Sequence, residues 1–150
     1  FCIQPMQLRP GIETLGEQEI IHYAVMMSKG EKMPDGSESM IIDTRTPDWV
    51  AKGSIPSAVN LPYTLLTERK GAGPLSIAEL MTTKFGAKEQ NGLFYFDNAK
   101  TLVMFCNGMW CGQSPNNIKS LLKYGYPANK IKWYRGGMQN WENLGFNTVK

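Results

Sequence analysis

Two cysteines five residues apart carry the clearest chemistry in this sequence. Cys106 opens the loop of residues 106–112, and Cys111 lies near its far end. The apolar run 101–105 precedes Cys106, and Ser114-Pro115 has the pattern of a helix N-cap followed by a proline at the first helical position. Backbone N–H groups that curl between a strand and a helix N-terminus stabilise an anion and favour thiolate over thiol. The spacing therefore predicts a reactive cysteine at position 106.

The other loop residues are expected to line the binding site around the sulfur. Glycines permit the backbone angles that a curled loop requires. Met109 and Trp110 either form an apolar lip or fold inward onto the domain. The predicted lining residues are Asn107, Gly108, Met109, Trp110, Gly112 and Gln113.

Cys111 leaves two interpretations open. It either resolves an oxidised Cys106 by forming a disulfide, or it is an unreactive loop thiol. A disulfide needs the two Cα atoms within about 7 Å, a distance that sequence spacing does not determine. Cys2, beside the chain start, is expected to be inert.

Composition narrows the function classes. The chain has 150 residues, 42% of them hydrophobic and 19% charged, which suits one globular domain. Its net charge of +3 is scattered, so a small anion is a more natural partner than nucleic acid. No apolar run is long enough to span a membrane. Three cysteines and one histidine predict neither a metal site nor a cofactor.

The compartment stays open at this point. The chain begins with Phe1, so a targeting segment would precede the residues in view. A bacterial periplasmic and a cytoplasmic location are both compatible with a free-thiol enzyme.

Helical and strand patterns alternate along the chain. A capping box at Thr14 and Glu17 predicts a helix over about 15–29 with an apolar stripe, and Thr46-Pro47 predicts a short helix over 47–52. A second capping box at Ser76 and Glu79 predicts a helix in the segment 67–100. The stripe of the first helix consists of Ile20, Ile21, Ala24 and Val25.

Short apolar runs predict the strands of the central sheet. They cover residues 40–43, 101–105 and 131–134, with a further short strand before Leu61. Helices are predicted after Ser114 and again near the C-terminus. Their apolar faces are Ile118, Leu121 and Leu122 in the first case, and Met138, Trp141 and Leu144 in the second. The fold class is α/β, with one domain over 1–150, a core over about 40–145 and a central parallel sheet flanked by helices.

Four separated motifs resemble the rhodanese family of sulfurtransferases. Ile42-Asp43-Thr44-Arg45 resembles the Asp-x-Arg that follows the family's first core strand, and residues 53–62 resemble its Gly-His-Ile-Pro-Gly-Ala-x-Asn-Ile-Pro signature, with Ser54 and Ser57 in place of His and Gly. Val103-Met-Phe-Cys106 matches the strand that delivers the active cysteine, and Tyr134-Arg-Gly-Gly-Met-Gln-Asn-Trp141 matches the closing turn. The loop is similar to a subgroup with Cys-x-Gly-x-aromatic-Cys.

The resemblance implies a double displacement at Cys106. The thiolate would take sulfane sulfur from thiosulfate or a persulfide and pass it to a thiol, cyanide or protein acceptor. Asp43 and Arg45 are expected to form a structural pair that shapes the site, and Arg135 either assists anion attraction or is solvated. His22, remote from the loop in sequence, is expected to serve at the surface or in packing.

Departures from the family pattern keep a second function in view. With its predicted cap at Ser114, the loop is wider than the family's six-residue loop, and it lacks the Arg or Lys that holds thiosulfate. A cysteine-dependent phosphatase would place Arg where Gly112 stands, which argues against that chemistry. The alternative is a non-catalytic or redox-sensing rhodanese-like module that uses a Cys106–Cys111 disulfide.

Overall fold

Strands alternate with helices along the chain and form a central sheet. The computed structural model describes residue 3 and residues 6–150. Strands are β1 (Glu13–Leu15), β2 (Ser39–Asp43), β3 (Val59–Asn60), β4 (Lys88–Gln90), β5 (Leu93–Tyr95), β6 (Thr101–Phe105) and β7 (Ile131–Tyr134). Helices are α1 (Glu17–Lys29), α2 (Pro47–Val50), α3 (Pro74–Thr83), α4 (Gln113–Lys123) and α5 (Gly137–Asn143). Five parallel strands lie in the order β1-β7-β6-β2-β3, and β4 and β5 form a separate antiparallel hairpin. The predicted α/β class and parallel sheet are confirmed.

The central strand β6 is buried on both faces, as its continuous apolar run predicts. Because side chains alternate along a strand, Leu102 and Met104 belong to the same hydrophobic core as α3 and α4, whereas Val103 and Phe105 belong to the core that includes α1 and α5. Complete burial of each such side chain stabilises the fold by roughly 1.5–3 kcal/mol. The strand that carries Cys106 is therefore held rigidly from both sides.

The N-terminal segment differs from its predicted form. Thr14 lies in β1 rather than at a helix cap, and Gly16 is the N-cap of α1. The buried face of that helix is Ile20, Tyr23 and Met26, whereas Val25 is 42% exposed. The capping-box prediction fails because β1 pairs with β7, for example Glu13 with Lys132, and local pattern does not reveal a contact so distant in sequence. The predicted end of the helix at residue 29 is confirmed, and Gly30 caps it in the left-handed conformation.

Other element boundaries shift by a few residues. Strands 101–105 and 131–134 are confirmed. The short helix ends at Val50 rather than at 52, and α3 begins after Gly73, whose N–H donates to Ser76 Oγ, so Ser76 is its third residue and not its cap. Leu144, predicted to line the last helix, is 56% exposed beyond its end.

The register of the sheet brings the candidate residues together. β2 and β6 pair in parallel from Ser39–Thr101 to Asp43–Phe105, so the segments after Asp43 and Phe105 leave the sheet side by side. The carboxyl ends of neighbouring parallel strands are where α/β proteins place their binding sites. No helix in the described residues is long and apolar enough to cross a membrane.

Candidate active site

Cys106 lies where β6 ends, and α5 clamps the backbone that follows it. Two N–H groups in the first turn of α5 have no acceptor within the helix and donate to this loop instead. Met138 N donates to the Cys106 carbonyl at 3.0 Å, and Gln139 N donates to the Asn107 carbonyl at 2.9 Å. Gly137 has φ +59°, and a Cβ there would collide with the Cys106 carbonyl oxygen and the Gly108 nitrogen. Only glycine therefore permits this approach of the closing turn to the loop.

The helix after the loop begins earlier than predicted. Gly112 is the N-cap of α4 and Gln113 its first residue, so the predicted cap at Ser114 is wrong. The Ser114 hydroxyl is buried 2.8 Å from Thr44 Oγ1, which donates to the Phe105 carbonyl at 3.0 Å. The cap lies six residues after Cys106, so the wider loop predicted from Ser114 is also wrong.

The loop presents unpaired backbone donors. In the described part of the chain, the N–H groups of residues 107–110 and 112–114 donate to no protein acceptor, whereas Cys111 N donates to the Gly108 carbonyl at 3.1 Å. Free N–H groups at a curled loop and a helix start form an anion-binding concavity. The loop therefore has the donors that a thiolate or a persulfide anion needs.

Cys106 and Cys111 form a disulfide, with their Cα atoms 6.4 Å apart. Cys106 is 2% exposed and Cys111 is half-buried. Gln113 Oε1 lies 3.1 Å from the Cys106 sulfur, which carries no proton while it is oxidised. After reduction the thiol can donate to this oxygen, or the amide can turn and donate its NH₂ to the thiolate. Gln113 is thus positioned to respond to the state of the sulfur.

A buried ion pair supports the first residue after the cysteine. Arg45 Nε and Nη2 donate to the two carboxylate oxygens of Asp43 at 2.9 and 2.8 Å, and Ser54 Oγ donates to Asp43 at 2.7 Å. Arg45 also donates to the Gly53 carbonyl at 2.7 Å and to Asn107 Oδ1 at 3.2 Å. The two side chains pair as expected, and the pair links β2 to the loop. That the pair shapes the site stays a prediction.

Trp110 and Met109 face solvent, with 64% and 53% exposure. The Trp110 ring covers Gly108, where an added Cβ would overlap it. It also borders a cleft of about 610 Å³ that Trp49 helps to line, and Lys52 Nζ lies 4.5 Å from the Trp49 ring centre. Of the two alternatives for the loop tip, the structure shows the exposed one, with the indole lying along the loop beside an open cleft.

Among the described residues, neither Arg135 nor His22 forms a hydrogen bond or ion pair with Cys106. Arg135 sits in the turn before α5, and its side chain forms no hydrogen bond or ion pair within the described residues. His22 is exposed on α1 and packs edge-on against Tyr23, which agrees with a surface role. Cys2 lies outside the described residues. Residues 3 and 6–150 contain no cluster of His, Cys, Asp or Glu suited to a metal ion.

Residues 27–144 match the family model of the rhodanese-like domain. The chain belongs to the rhodanese-like domain family. Members of this family can act as sulfurtransferases. The rhodanese motifs in the sequence therefore coincide with the segment in which Cys106, the Asp43–Arg45 pair and the closing turn meet. Comparison with curated proteins gives no significant match.

Solved structures share this rhodanese-like fold at low sequence identity. A thiosulfate sulfurtransferase from Pseudomonas aeruginosa is 19% identical with a TM-score of 0.53, and the match covers 92% of this chain and 20% of that protein. A Saccharomyces cerevisiae homolog of single-domain rhodanese and Cdc25 phosphatase catalytic domain is 17% identical with a TM-score of 0.59, covering 89% and 82%. A protein of unknown function from Rhodopseudomonas palustris, described as a possible tyrosine phosphatase, is 17% identical with a TM-score of 0.55, covering 99% and 100%. These likenesses support the fold and not an activity.

Sequence reasoning missed several residues that shape the rhodanese-like site. Thr44 and Ser114 tie the ends of β2 and β6 to α4, and the Asn60 amide donates to the Asp43 and Arg45 carbonyls at 3.0 and 2.8 Å. Asn60 stands inside the quoted family signature, so its position there was a usable signal. The Thr44–Ser114 contact joins residues 70 apart and has no local signature.

Proposed function

We propose that this domain is a sulfurtransferase that carries sulfane sulfur as a persulfide on Cys106. The free N–H groups around the loop are the observation that carries the proposal, because they favour an anionic sulfur at the end of β6. The reduced thiolate attacks the outer sulfur of a donor. With thiosulfate, the S–S bond of the donor breaks, sulfite leaves, and Cys106 holds the persulfide.

Transfer then completes the cycle. An acceptor thiolate or cyanide attacks the outer persulfide sulfur, the Cys106 S–S bond breaks, and Cys106 departs as a thiolate. Asn107 is held by Arg45 and by the N–H group of Gln139, so the start of the loop keeps its shape through both steps. Neither proposed step involves a metal or a cofactor.

The charges around the loop bear on the choice of donor. Residues 107–113 contain no Arg or Lys, and Arg45 already bonds Asp43, Gly53 and Asn107. The same arrangement disfavours phosphatase chemistry, which clamps the oxyanion with a loop Arg. Both thiosulfate and persulfides belong to the proposed donor class, with the backbone amides as the main anion-binding groups.

Cys111 is proposed as the resolving partner of Cys106. Its sulfur is within bonding reach, as the disulfide shows. From a loaded Cys106, the Cys111 thiolate can attack Cys106 Sγ, form the disulfide and expel the outer sulfur as hydrosulfide. The oxidised enzyme must then be reduced by an external thiol before it accepts sulfur again.

Intact-mass measurement tests the proposal. The protein is reduced, freed of reductant, and incubated with thiosulfate or with a small persulfide donor. We expect Cys111→Ser to gain one sulfur atom and Cys106→Ser to gain none. The wild type should gain the atom and then lose it as hydrosulfide while the disulfide forms. Circular dichroism spectra should match for all three proteins. No sulfur uptake from either donor by folded Cys111→Ser, in which no resolving thiol can expel the sulfur, would refute a transferase function.

The disulfide supports one alternative, a redox-sensing module without turnover. Such a module loses two hydrogens on mild oxidation and takes up no sulfur from any donor. The same mass experiment, repeated with a mild oxidant, therefore separates the two functions.

A further inference from the structure

The two cysteines of the disulfide differ in their exposure to solvent. Cys106 is 2% exposed at the end of a buried strand, and α5 covers its carbonyl. Cys111 is half-buried and lies between the exposed residues Trp110 and Gly112. An attacking thiolate must approach one sulfur from the side opposite the other, so the sulfur of the more exposed residue, Cys111, is the easier target.

The two sulfurs also differ as leaving groups. Cys106 leaves into a loop whose free N–H groups favour an anion, with Gln113 at 3.1 Å. The backbone N–H of Cys111 is already donated to the Gly108 carbonyl. Thiol–disulfide exchange is faster when the departing sulfur is the better stabilised thiolate. Access and leaving-group stability therefore select the same direction of attack.

We propose that Cys111 is a thiol-attachment site: a small thiol forms a mixed disulfide with Cys111, and Cys106 departs as the free thiolate. The attacking thiolate supplies the electron pair, the S–S bond between the two cysteines breaks, and a new S–S bond joins Cys111 to the thiol. One exchange thus delivers Cys106 in its nucleophilic form. The consequence for sulfur transfer rests on the function proposed above, whereas the attachment itself does not.

The class of reductant then decides the fate of the sulfur. While a monothiol caps Cys111, no resolving thiolate faces the Cys106 persulfide, and its sulfur is kept for an acceptor. A dithiol removes its own adduct by closing to a cyclic disulfide, which frees Cys111 to expel hydrosulfide from Cys106. With thiosulfate as donor, the second route converts thiosulfate and a dithiol into sulfite, hydrogen sulfide and the oxidised dithiol.

Peptide mapping tests the direction of attack without any sulfur donor. The oxidised protein is mixed with glutathione, quenched with acid at successive times, and its adducts are located by fragmentation between the two cysteines. We expect glutathione on Cys111 in excess over Cys106, on the order of tenfold, because Cys111 is the more accessible target and Cys106 is the better stabilised leaving group. Predominant attachment to Cys106, or no adduct at any time, would overturn the proposal.

Persulfide lifetime tests the consequence. Three proteins are loaded at Cys106 and freed of solution thiol: the reduced wild type, the wild type capped with glutathione at Cys111, and Cys111→Ser. Loss of the added sulfur with release of sulfide is expected only in the first. Equal decay in all three would overturn the resolving role, and failure of all three to load would instead refute the proposed function while leaving the mapping result intact.

Discussion

Replacing Arg45 by Met tests whether the buried pair shapes the catalytic loop. The substitution keeps an unbranched side chain but removes the guanidinium that serves Asp43, Gly53 and Asn107. Asp43, fully buried, then retains bonds only from Ser54 and from the backbone N–H of residue 45. Loss of one partner from a buried ion pair costs about 3–5 kcal/mol, because the remaining charge stays desolvated.

Urea unfolding followed by the fluorescence of the four tryptophans measures that cost. We expect Arg45→Met to lower the free energy of unfolding by about 3–5 kcal/mol, and Arg45→Lys to lower it less, since Lys keeps the charge but not the two-pronged geometry. Persulfide formation on Cys106 should slow in both variants, because Asn107 loses its Arg45 bond.

A matched double variant separates the pair from its surroundings. Asp43→Leu with Arg45→Met removes both charges, so its cost should fall below the sum of the single costs by about 2 kcal/mol or more. If the reductions in the free energy of unfolding are additive, or if Arg45→Met lowers it by less than about 1 kcal/mol, the two buried charges do not stabilise each other as proposed.

Three further predictions concern the backbone and pH. Ser57 has φ +73° where the family signature has Gly, so Ser57→Gly should raise the free energy of unfolding in urea by about 0.5–1 kcal/mol; no gain would mean that the serine is unstrained. Gly137→Ala should cost about 2 kcal/mol and abolish persulfide formation, because its Cβ meets the loop; wild-type activity in a mass assay would contradict this. Burial raises the pKa of Tyr126 and Tyr134 above the ordinary value, so stability is retained below about pH 10 and falls above it by about 1.4 kcal/mol per pH unit for each tyrosine. Urea midpoints from about pH 8 to 11 check this, and Tyr126→Phe should show a shallower fall.

The sheet was predictable where one strand buries both faces. Residues 101–105 and 131–134 are short apolar runs bounded by polar residues, so their limits can be read locally. The hairpin of β4 and β5 was missed although Asn91-Gly92 is a standard two-residue turn signal, because the arm before the turn, Lys88–Gln90, contains no apolar residue. β1 was missed because its three residues gain order only by pairing with β7.

Around Cys106, the sequence indicated the residues but not their contacts. The position of the cysteine after a strand follows from residue types alone. The start of α4 could not be predicted from residue types. Ser114 is a typical N-cap residue, but its hydroxyl forms a hydrogen bond with Thr44, which is distant in sequence. Disulfide formation depends on a loop conformation that spacing leaves undetermined, and here the 6.4 Å between Cα atoms allows it.

The edge strand β1 has a consequence for how fragments of this chain behave. The family match begins at residue 27, whereas β1 pairs with β7 from residue 13 and Lys132 Nζ lies 2.9 Å from Glu13 Oε2. A fragment that begins at the family boundary would lack β1, so the edge of β7 that pairs with β1 would expose unpaired N–H and C=O groups. The apolar surface that Leu15 and Ile20 cover would be exposed as well. Such an edge recruits strands from other molecules. Self-association of that fragment would report the missing edge strand rather than a native oligomer.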